Sequence, residues 1–316
     1  MHNDEKPLVS ICCITYNQEK YIAQCLDGFL MQKTTFPFEI VISNDCSTDN
    51  TKKIIDSYLS KYPAIFKDVS PQQNIGMNKN FHHVLEKASG KYIAYCEGDD
   101  YWIDENKLQM QVDFLENNPE YGMCFTNFNI YQQNKMEFNL LPSKKINQDL
   151  YESIEYWILE KGYIAPMTWM FKKCLLESYT SVNTCDETFV LVALFIANSK
   201  IKYISDKITA VYRQLNESAS HSLSLEKKYI REKKLLDTQI MLIRMYDLPN
   251  DLIIKCFKKF YDSMLMILIV LNEQKELLNA KYFKYTYFKN KLLRLVFFPL
   301  FRIFISKCWL RYKSRG

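Results

Sequence analysis

The chain has 316 residues, 48% of them hydrophobic and 15% aromatic, which is enough apolar surface for one sizeable core, alone or with an appended lobe. A charged fraction of 24%, with seven Gly and nine Pro, excludes a disordered, collagen-like or linker-dominated chain. The net charge of +5 conceals an asymmetry: ten of the 41 Lys and Arg lie between Leu277 and Gly316, where there is no Asp or Glu, leaving 31 basic against 36 acidic side chains before them.

Pro7 to Ile14 is a short apolar run rich in β-branched residues and reads as a buried strand ending at Thr15-Tyr16-Asn17. Glu19 to Gln32 has helical spacing, with Tyr21, Ile22, Cys25, Leu26 and Phe29 on one side. Phe38 to Ile42 predicts a second buried strand, stopping at Ser43-Asn44-Asp45-Cys46-Ser47-Thr48-Asp49, and a helix capped by Ser47, Thr48 or Asp49 follows. Asn74-Ile75-Gly76 marks a turn, Asn78 to Ala88 a helix, and Lys91 to Cys96 a third strand, ending at Glu97-Gly98-Asp99-Asp100. Beyond it, helices are expected over Lys107 to Glu116, Tyr151 to Glu160 and Thr188 to Asn198. Strands are expected over Gly122 to Ile130, Thr168 to Phe171, Ile201 to Ile204 and Ile208 to Tyr212. From about Leu225 onward the pattern is helical.

Strand–helix alternation over the first hundred residues argues for an α/β fold with a parallel sheet between helices. Ligands of such sheets bind beyond the carboxyl ends of the strands, where all three polar clusters fall. The ten Cys contain no CxxC pair, which argues against a zinc ribbon or a thioredoxin-type site. With no apolar signal segment at the start, they are expected to be reduced, mostly buried thiols of a cytoplasmic protein.

Taken together, Val9 to Asn17, Ile40 to Asp49, Asn74-Ile75-Gly76 and Tyr92 to Trp102 resemble, in order and spacing, the family 2 glycosyltransferases. The resemblance is close over the first hundred residues and extends more weakly to about Ser222. It implies a GT-A (Rossmann-like) fold with a mostly parallel central sheet flanked by helices. Residues 1–222 would form the catalytic domain, its nucleotide-sugar half over about 1–105 and its acceptor half over about 106–222. Residues 223–316 would form a helical C-terminal region with a basic amphipathic tail.

The implied activity is inverting, metal-dependent transfer of a sugar from a nucleotide donor, UDP-sugar favoured, to a glycan or lipid-linked acceptor in cell-surface polysaccharide synthesis. A departing nucleoside diphosphate needs its charge stabilised, and hard ions such as Mg²⁺ or Mn²⁺ take carboxylate oxygens. The resemblance makes Asp99 the main metal ligand. Glu97 and Asp100 act at the ribose, through water or in support of the ligand, and Gly98 allows close backbone approach. Thr15, Tyr16 and Asn17 then line base and ribose, Asp45 accepts a base N–H as suits uracil or thymine, and Asn74 and Lys79 are further donor contacts. Asp186 is the catalytic base with Glu187 in reserve, and Arg213 meets the diphosphate. The family's His two residues after that Arg is Leu215 here, so His221 is the substitute metal ligand. Ser47 and Asp49 read as helix caps, and His82 and His83 as packing or surface residues.

Tyr101 and Trp102 are acceptor-side candidates by the habit of aromatic faces stacking on sugars, with core packing the competing role for Trp102 and for Trp169. Leu292 to Ser306 is too short and too charged to span a bilayer. It suits an interfacial segment on the inner face of an anionic membrane, making the protein peripherally associated. Packing back on the catalytic domain is the competing role for this tail. A sugar nucleotidyltransferase is the nearest other enzyme, but it needs a Gly-rich basic loop where Thr15 to Glu19 stand. A non-enzymatic membrane or nucleic-acid binder would rely on the tail alone, and the acidic body argues against nucleic acid.

Overall fold

The computed structural model describes residues 6–132, 137–139, 149–177, 179, 184, 186–215 and 224–271. His221 and the basic tail from Leu277 onward lie outside the described residues. The chain divides into two compact units. One takes in the described residues up to Tyr179 and from Glu187 to Leu215, and the other takes in Thr184, Asp186 and the described residues from Ser224 onward.

In the first unit, strands β1 (Val9–Thr15), β2 (Phe38–Asn44), β3 (Phe66–Asp68) and β4 (Tyr92–Tyr95) pair in parallel in the order β3-β2-β1-β4. All of β1 is buried, as its near-continuous apolar run requires of a parallel strand covered on both faces. Helices α1 (Ile22–Leu30), α2 (Thr51–Lys61) and α3 (Met77–Glu86) provide the crossovers. α1 buries Ile22, Cys25, Leu26 and Phe29. It starts three residues later than the spacing predicts, because the amides of Tyr21 and Ile22 both donate to the Gln18 carbonyl in a tight turn.

The remaining strands are β5 (Tyr101–Trp102), β6 (Tyr121–Gln132), β7 (Glu137–Asn139), β8 (Met170–Lys172) and β9 (Lys200–Gln214), alternating with α4 (Lys107–Asn117), α5 (Asp149–Glu152), α6 (Ile154–Glu160) and α7 (Glu187–Asn198). Here the sheet is mixed. β8 runs antiparallel to β4 and β6, β9 runs parallel to β6, and β5 closes the order antiparallel to β9. The two short strands expected after α7 are one strand, β9. Register shifts opposite Phe125 to Phe128 absorb its polar stretch Ser205-Asp206-Lys207.

This topology positions the site. β8, β6 and β9 lie between β4 and β5, so a flat sheet would separate those two by four strand spacings, about 19 Å. Only residues 96–100 join them, and that link is folded back by the Asp100 amide donating to the Glu97 carbonyl at 3.0 Å. The sheet therefore curls until β5 and β9 return beside the end of β4. Gly28 lets α1 approach β5: a Cβ there would stand 2.9 Å from the Trp102 carbonyl.

In the second unit, α8 (Leu225–Met245) and α9 (Asn250–Leu271) contact each other, with the rings of Tyr229 and Phe260 at 6.1 Å. They bury Leu236, Leu242, Ile243, Leu252 and Cys256. The Ser224 hydroxyl caps α8 by accepting from the Lys227 amide. Among the described residues, no helix is long and apolar enough to cross a membrane.

Candidate active site

Three loops meet beyond the carboxyl ends of β1, β2 and β4. The first two reverse direction through left-handed residues, Asn17 at φ 53° and Cys46 at φ 58°. They are tied together. The Asn17 amide donates to the Ser47 hydroxyl at 2.8 Å, and its side-chain oxygen accepts from the Thr48 amide at 2.7 Å. Asp49 accepts from the amides of Thr51 and Glu19, but the N-cap position of α2 is Asn50, with no side-chain cap, and the Ser47 hydroxyl ties the two loops instead of capping the helix. Tyr16 stands half out of the surface at 48% exposure, while Thr15 is buried and donates to Gln18 Oε1 at 2.6 Å.

Asp45 is buried, and its two carboxylate oxygens accept the amides of Ile75 and Gly76 at 2.8 and 2.9 Å. The Asn74 side chain donates to the Asp45 carbonyl. Gly76, at φ 84°, takes a backbone conformation that side chains rarely adopt. Asp45 and Asn74 thus lock the turn before α3 onto the end of β2, each Asp45 oxygen keeping a second lone pair. Lys79 is exposed on α3.

The third loop carries the charge. Glu97, Asp99 and Asp100 each present a carboxylate oxygen within 4.8 Å of the others. Burial pushes the Asp99 carboxyl above the usual carboxylate range. Burial together with the charges of Asp99 and Glu97 pushes that of Asp100 well above it. Arg213, delivered by β9, is the balancing cation. Its amide donates to Asp100 Oδ1 at 2.8 Å, and its guanidinium reaches the Asp99 carbonyl and Gln24 and lies 4.2 Å from the Tyr101 ring centroid. One acidic oxygen is left over: Asp99 Oδ1 is buried and has no hydrogen-bond partner. Three converging carboxylates with one orphaned oxygen are a donor set that fits a hard divalent cation.

Other candidates fall elsewhere. Trp102 is a core side chain and not an acceptor platform. It is 2% exposed, donates to the Met167 carbonyl at 2.8 Å and stands edge-on to Phe29. Trp169 is likewise buried, donating to the Ile164 carbonyl. Tyr101 is buried with the Arg213 guanidinium over its ring. Glu187 is buried at the start of α7, accepting from Tyr179 and paired with His82 Nε2 at 3.2 Å, so its carboxylate anchors packing. His82 stacks on Tyr179, and His83 lies 2.6 Å from the Val69 carbonyl, both in packing roles. Asp186 belongs to the other unit, where its amide lies 3.4 Å from the Thr184 hydroxyl.

Two amides escape sequence reasoning. Gln18 bridges Thr15 and the acidic turn, and Gln24 on α1 holds the Arg213 guanidinium. Neither has a charge or motif to mark it, and the helical phase of α1 puts Gln24 on the face opposite its buried residues.

The family model described as Glycosyl transferase family 2 matches residues 10–177. A protein of Mycobacterium tuberculosis described as uncharacterized protein Rv1520 is 33% identical over 242 residues, covering 77% of this chain and 69% of the relative. The putative teichuronic acid biosynthesis glycosyltransferase TuaG of Bacillus subtilis is 32% identical over 128 residues, covering 40% of this chain and 49% of the relative. The crystal structure of S. aureus TarS 1-349 in complex with UDP-GlcNAc superposes with a TM-score of 0.64 at 20% identity, covering 88% of this chain and 81% of that one.

Proposed function

The chain belongs to glycosyl transferase family 2 and has the GT-A fold, and from that premise we propose that it is an inverting, metal-dependent glycosyltransferase of cell-surface polysaccharide synthesis. Its donor is a nucleoside-diphosphate sugar, UDP-sugar favoured, and its acceptor a glycan or lipid-linked glycan. The observation that carries the reading is the acidic turn: Glu97, Asp99 and Asp100 converge, with Asp99 Oδ1 buried and unsatisfied, at the strand ends where such sheets bind ligands. The TarS complex with UDP-GlcNAc and the teichuronic acid assignment of TuaG support donor and pathway class.

Asp99 is the main ligand of a Mn²⁺ or Mg²⁺ ion, with Glu97 and Asp100 beside it. When bound, the ion supplies Lewis-acid stabilisation of negative charge on a diphosphate. Thr15, Tyr16 and Asn17 line base and ribose, and the remaining lone pairs of Asp45 accept a base N–H, which suits the N3–H of uracil. Arg213 holds the acidic turn in register and adds positive charge beside the diphosphate. The acceptor hydroxyl must lose a proton as its oxygen attacks the anomeric carbon from the face opposite the leaving group. We assign that proton to Asp186. The protein works in the cytoplasm at the inner face of an anionic membrane, held by the basic tail.

The test is thermal unfolding against a panel of nucleoside diphosphates with and without Mn²⁺. A ligand at about 100 times its Kd stabilises the fold by roughly 2.7 kcal/mol. A Mn²⁺-dependent upward shift with UDP, lost in Asp99→Ala, is expected. No shift with any nucleotide overturns the reading. Asp186→Asn should keep the shift and lose transfer, whereas loss of both would make Asp186 structural.

A further inference from the structure

A cavity lies at the other end of the same sheet from the acidic turn. Thr15 ends β1 and Glu97 follows β4, whereas this cavity, about 830 Å³ in volume, is lined by residues that precede those strands, Pro7-Leu8 and Gly90-Lys91, and by Lys172 and Lys173 at the end of β8. Its size falls in the range of small-molecule sites. Its lining is mixed in character. Lys6, Lys91 and Lys173 flank the neighbouring strands β1, β4 and β8: the Tyr92 amide donates to the Leu8 carbonyl, and the Lys173 amide to the Lys91 carbonyl. Lys91 is paired with Glu116 at 2.8 Å. Lys172 and Lys173 each donate to one uncharged acceptor, the carbonyls of Pro119 and Ala88, and Glu116 acts on Lys172 electrostatically from beyond ion-pair distance. Among the described residues, no carboxylate lies within 4 Å of the Lys6, Lys172 or Lys173 ammonium. The lining also has two acidic members, Glu86 at the end of α3 and Glu177 just after Leu176. The apolar part of the lining is Leu85 and Leu176, with His82 stacked on Tyr179 at 5.0 Å between centroids.

Lysine charge together with aliphatic and aromatic surface in one cavity selects a ligand that is itself two-ended. We propose that this cavity binds a phosphorylated amphiphile, its phosphate against Lys6, Lys172 and Lys173 and its apolar part against Leu85, Leu176 and the His82–Tyr179 stack. The site is independent of the nucleotide site, from which the full depth of β1 and β4 separates it. A headgroup phosphate of a membrane lipid and a free alkyl phosphate share this chemistry.

Calorimetric titration of the full chain with hexyl phosphate, inorganic phosphate and hexyl glucoside tests it, with the Lys6→Glu/Lys172→Glu double variant as control. Both lysines are at least partly exposed, so the fold should survive; unchanged thermal unfolding checks this, and Leu176→Asp provides a second lesion in the apolar part of the lining. Hexyl phosphate should bind, and either lesion should weaken it about tenfold or more, the effect of losing one good charged contact. Equal binding of hexyl phosphate and inorganic phosphate overturns the proposal, because the apolar lining then has no role. Equal binding of hexyl phosphate and hexyl glucoside, or indifference to the lysine variant, overturns it from the other side. Vesicles of phosphatidylglycerol that co-sediment with the protein in a lysine-dependent way name the lipid headgroup as the source. Binding of hexyl phosphate alone names a free amphiphile.

Discussion

Gly98 is where the acidic turn is most sensitive to a single atom. A Cβ there would stand 2.5 Å from Gln18 Oε1 and 2.9 Å from both Cβ and Oγ1 of Thr15. The Thr15 Cβ is fixed to β1 and cannot yield as a side-chain tip can. Gly98→Ala should therefore push the turn outward, separating Glu97 from Asp99. Mn²⁺-dependent stabilisation by nucleotide should fall by about tenfold in affinity or more, with a loss of about 1–3 kcal/mol in stability from the overpacking. Denaturant unfolding with and without nucleotide and metal measures both. Arg213 sets the complementary limit. Its planar fork bonds the Asp99 carbonyl and Gln24 at once and stacks on Tyr101, a geometry an ammonium cannot copy. Arg213→Lys should keep the charge yet weaken metal and nucleotide binding together. If it binds both as the parent does, charge alone matters and the fork does not.

At the scale of elements, α4 contributes an unusual core residue. Lys107 has no exposed surface. Its ammonium donates to Gln111 Oε1 at 2.6 Å and lies 4.3 Å from the Trp102 ring centroid. Burial lowers its pKa to about 7. The ionisable groups facing it are Cys124 of β6, Cys96 at the end of β4 and Asp104 in the loop before α4. An unfolded lysine keeps its proton to about pH 10.4. Between those values the unfolded chain binds the extra proton, so this group makes folding stability rise with pH, by up to about 1.4 kcal/mol per pH unit. Below pH 7 the side chain is charged in both states and the burial cost is fully present. Lys107→Met, of similar length and uncharged, should flatten stability between pH 7 and 10 and raise it at pH 6. An unchanged slope would place the pH dependence elsewhere.

The same region shows what a sequence conceals. The parallel strands β1, β2 and β4 announce themselves because each is an apolar run stopped by a polar cluster, and those clusters are the loops that meet. β5 does not: two residues, Tyr101 and Trp102, have no periodicity, and their strand character comes wholly from pairing with Val211 and Ala210. The two strands expected around Ser205 are one because pairing with β6 tolerates bulges that a local apolar count reads as an interruption. Trp102 invites a sugar-stacking role by adjacency to the acids, but the approach of α1 through Gly28, which sets Phe29 edge-on to its ring, holds it in the core. Charged residues are legible as a site because burying them needs a reason. Gln18 and Gln24 are silent because amides are at home on any surface.

At the scale of the whole molecule, charge is distributed by task. The acidic turn lies beyond the carboxyl ends of the parallel strands and a lysine edge lies at their amino ends, within a body that is net negative before Leu277. Such a body is repelled by an anionic surface, so attraction to one has to come from a part that outweighs it. The ten Lys and Arg after Leu277, interleaved with Phe, Leu, Ile and Tyr, have that composition. Each basic residue near an anionic leaflet contributes about 1 kcal/mol, and the field decays within about 8–10 Å at physiological ionic strength. Only residues lying at the surface count, and the apolar side chains between them should keep them there. Full-length protein should co-sediment with vesicles increasingly as anionic lipid rises, lose part of that binding in 0.5 M salt, and lose nearly all of it in a 1–276 version whose unfolding transition is retained. Equal sedimentation of the two would remove the tail from the membrane and move the contact to the lysine edge. Lys6→Glu/Lys172→Glu in the 1–276 background would then abolish what remains. If it did not, the attraction would be independent of both basic surfaces, and peripheral attachment through charge would fail as an account of where this enzyme works.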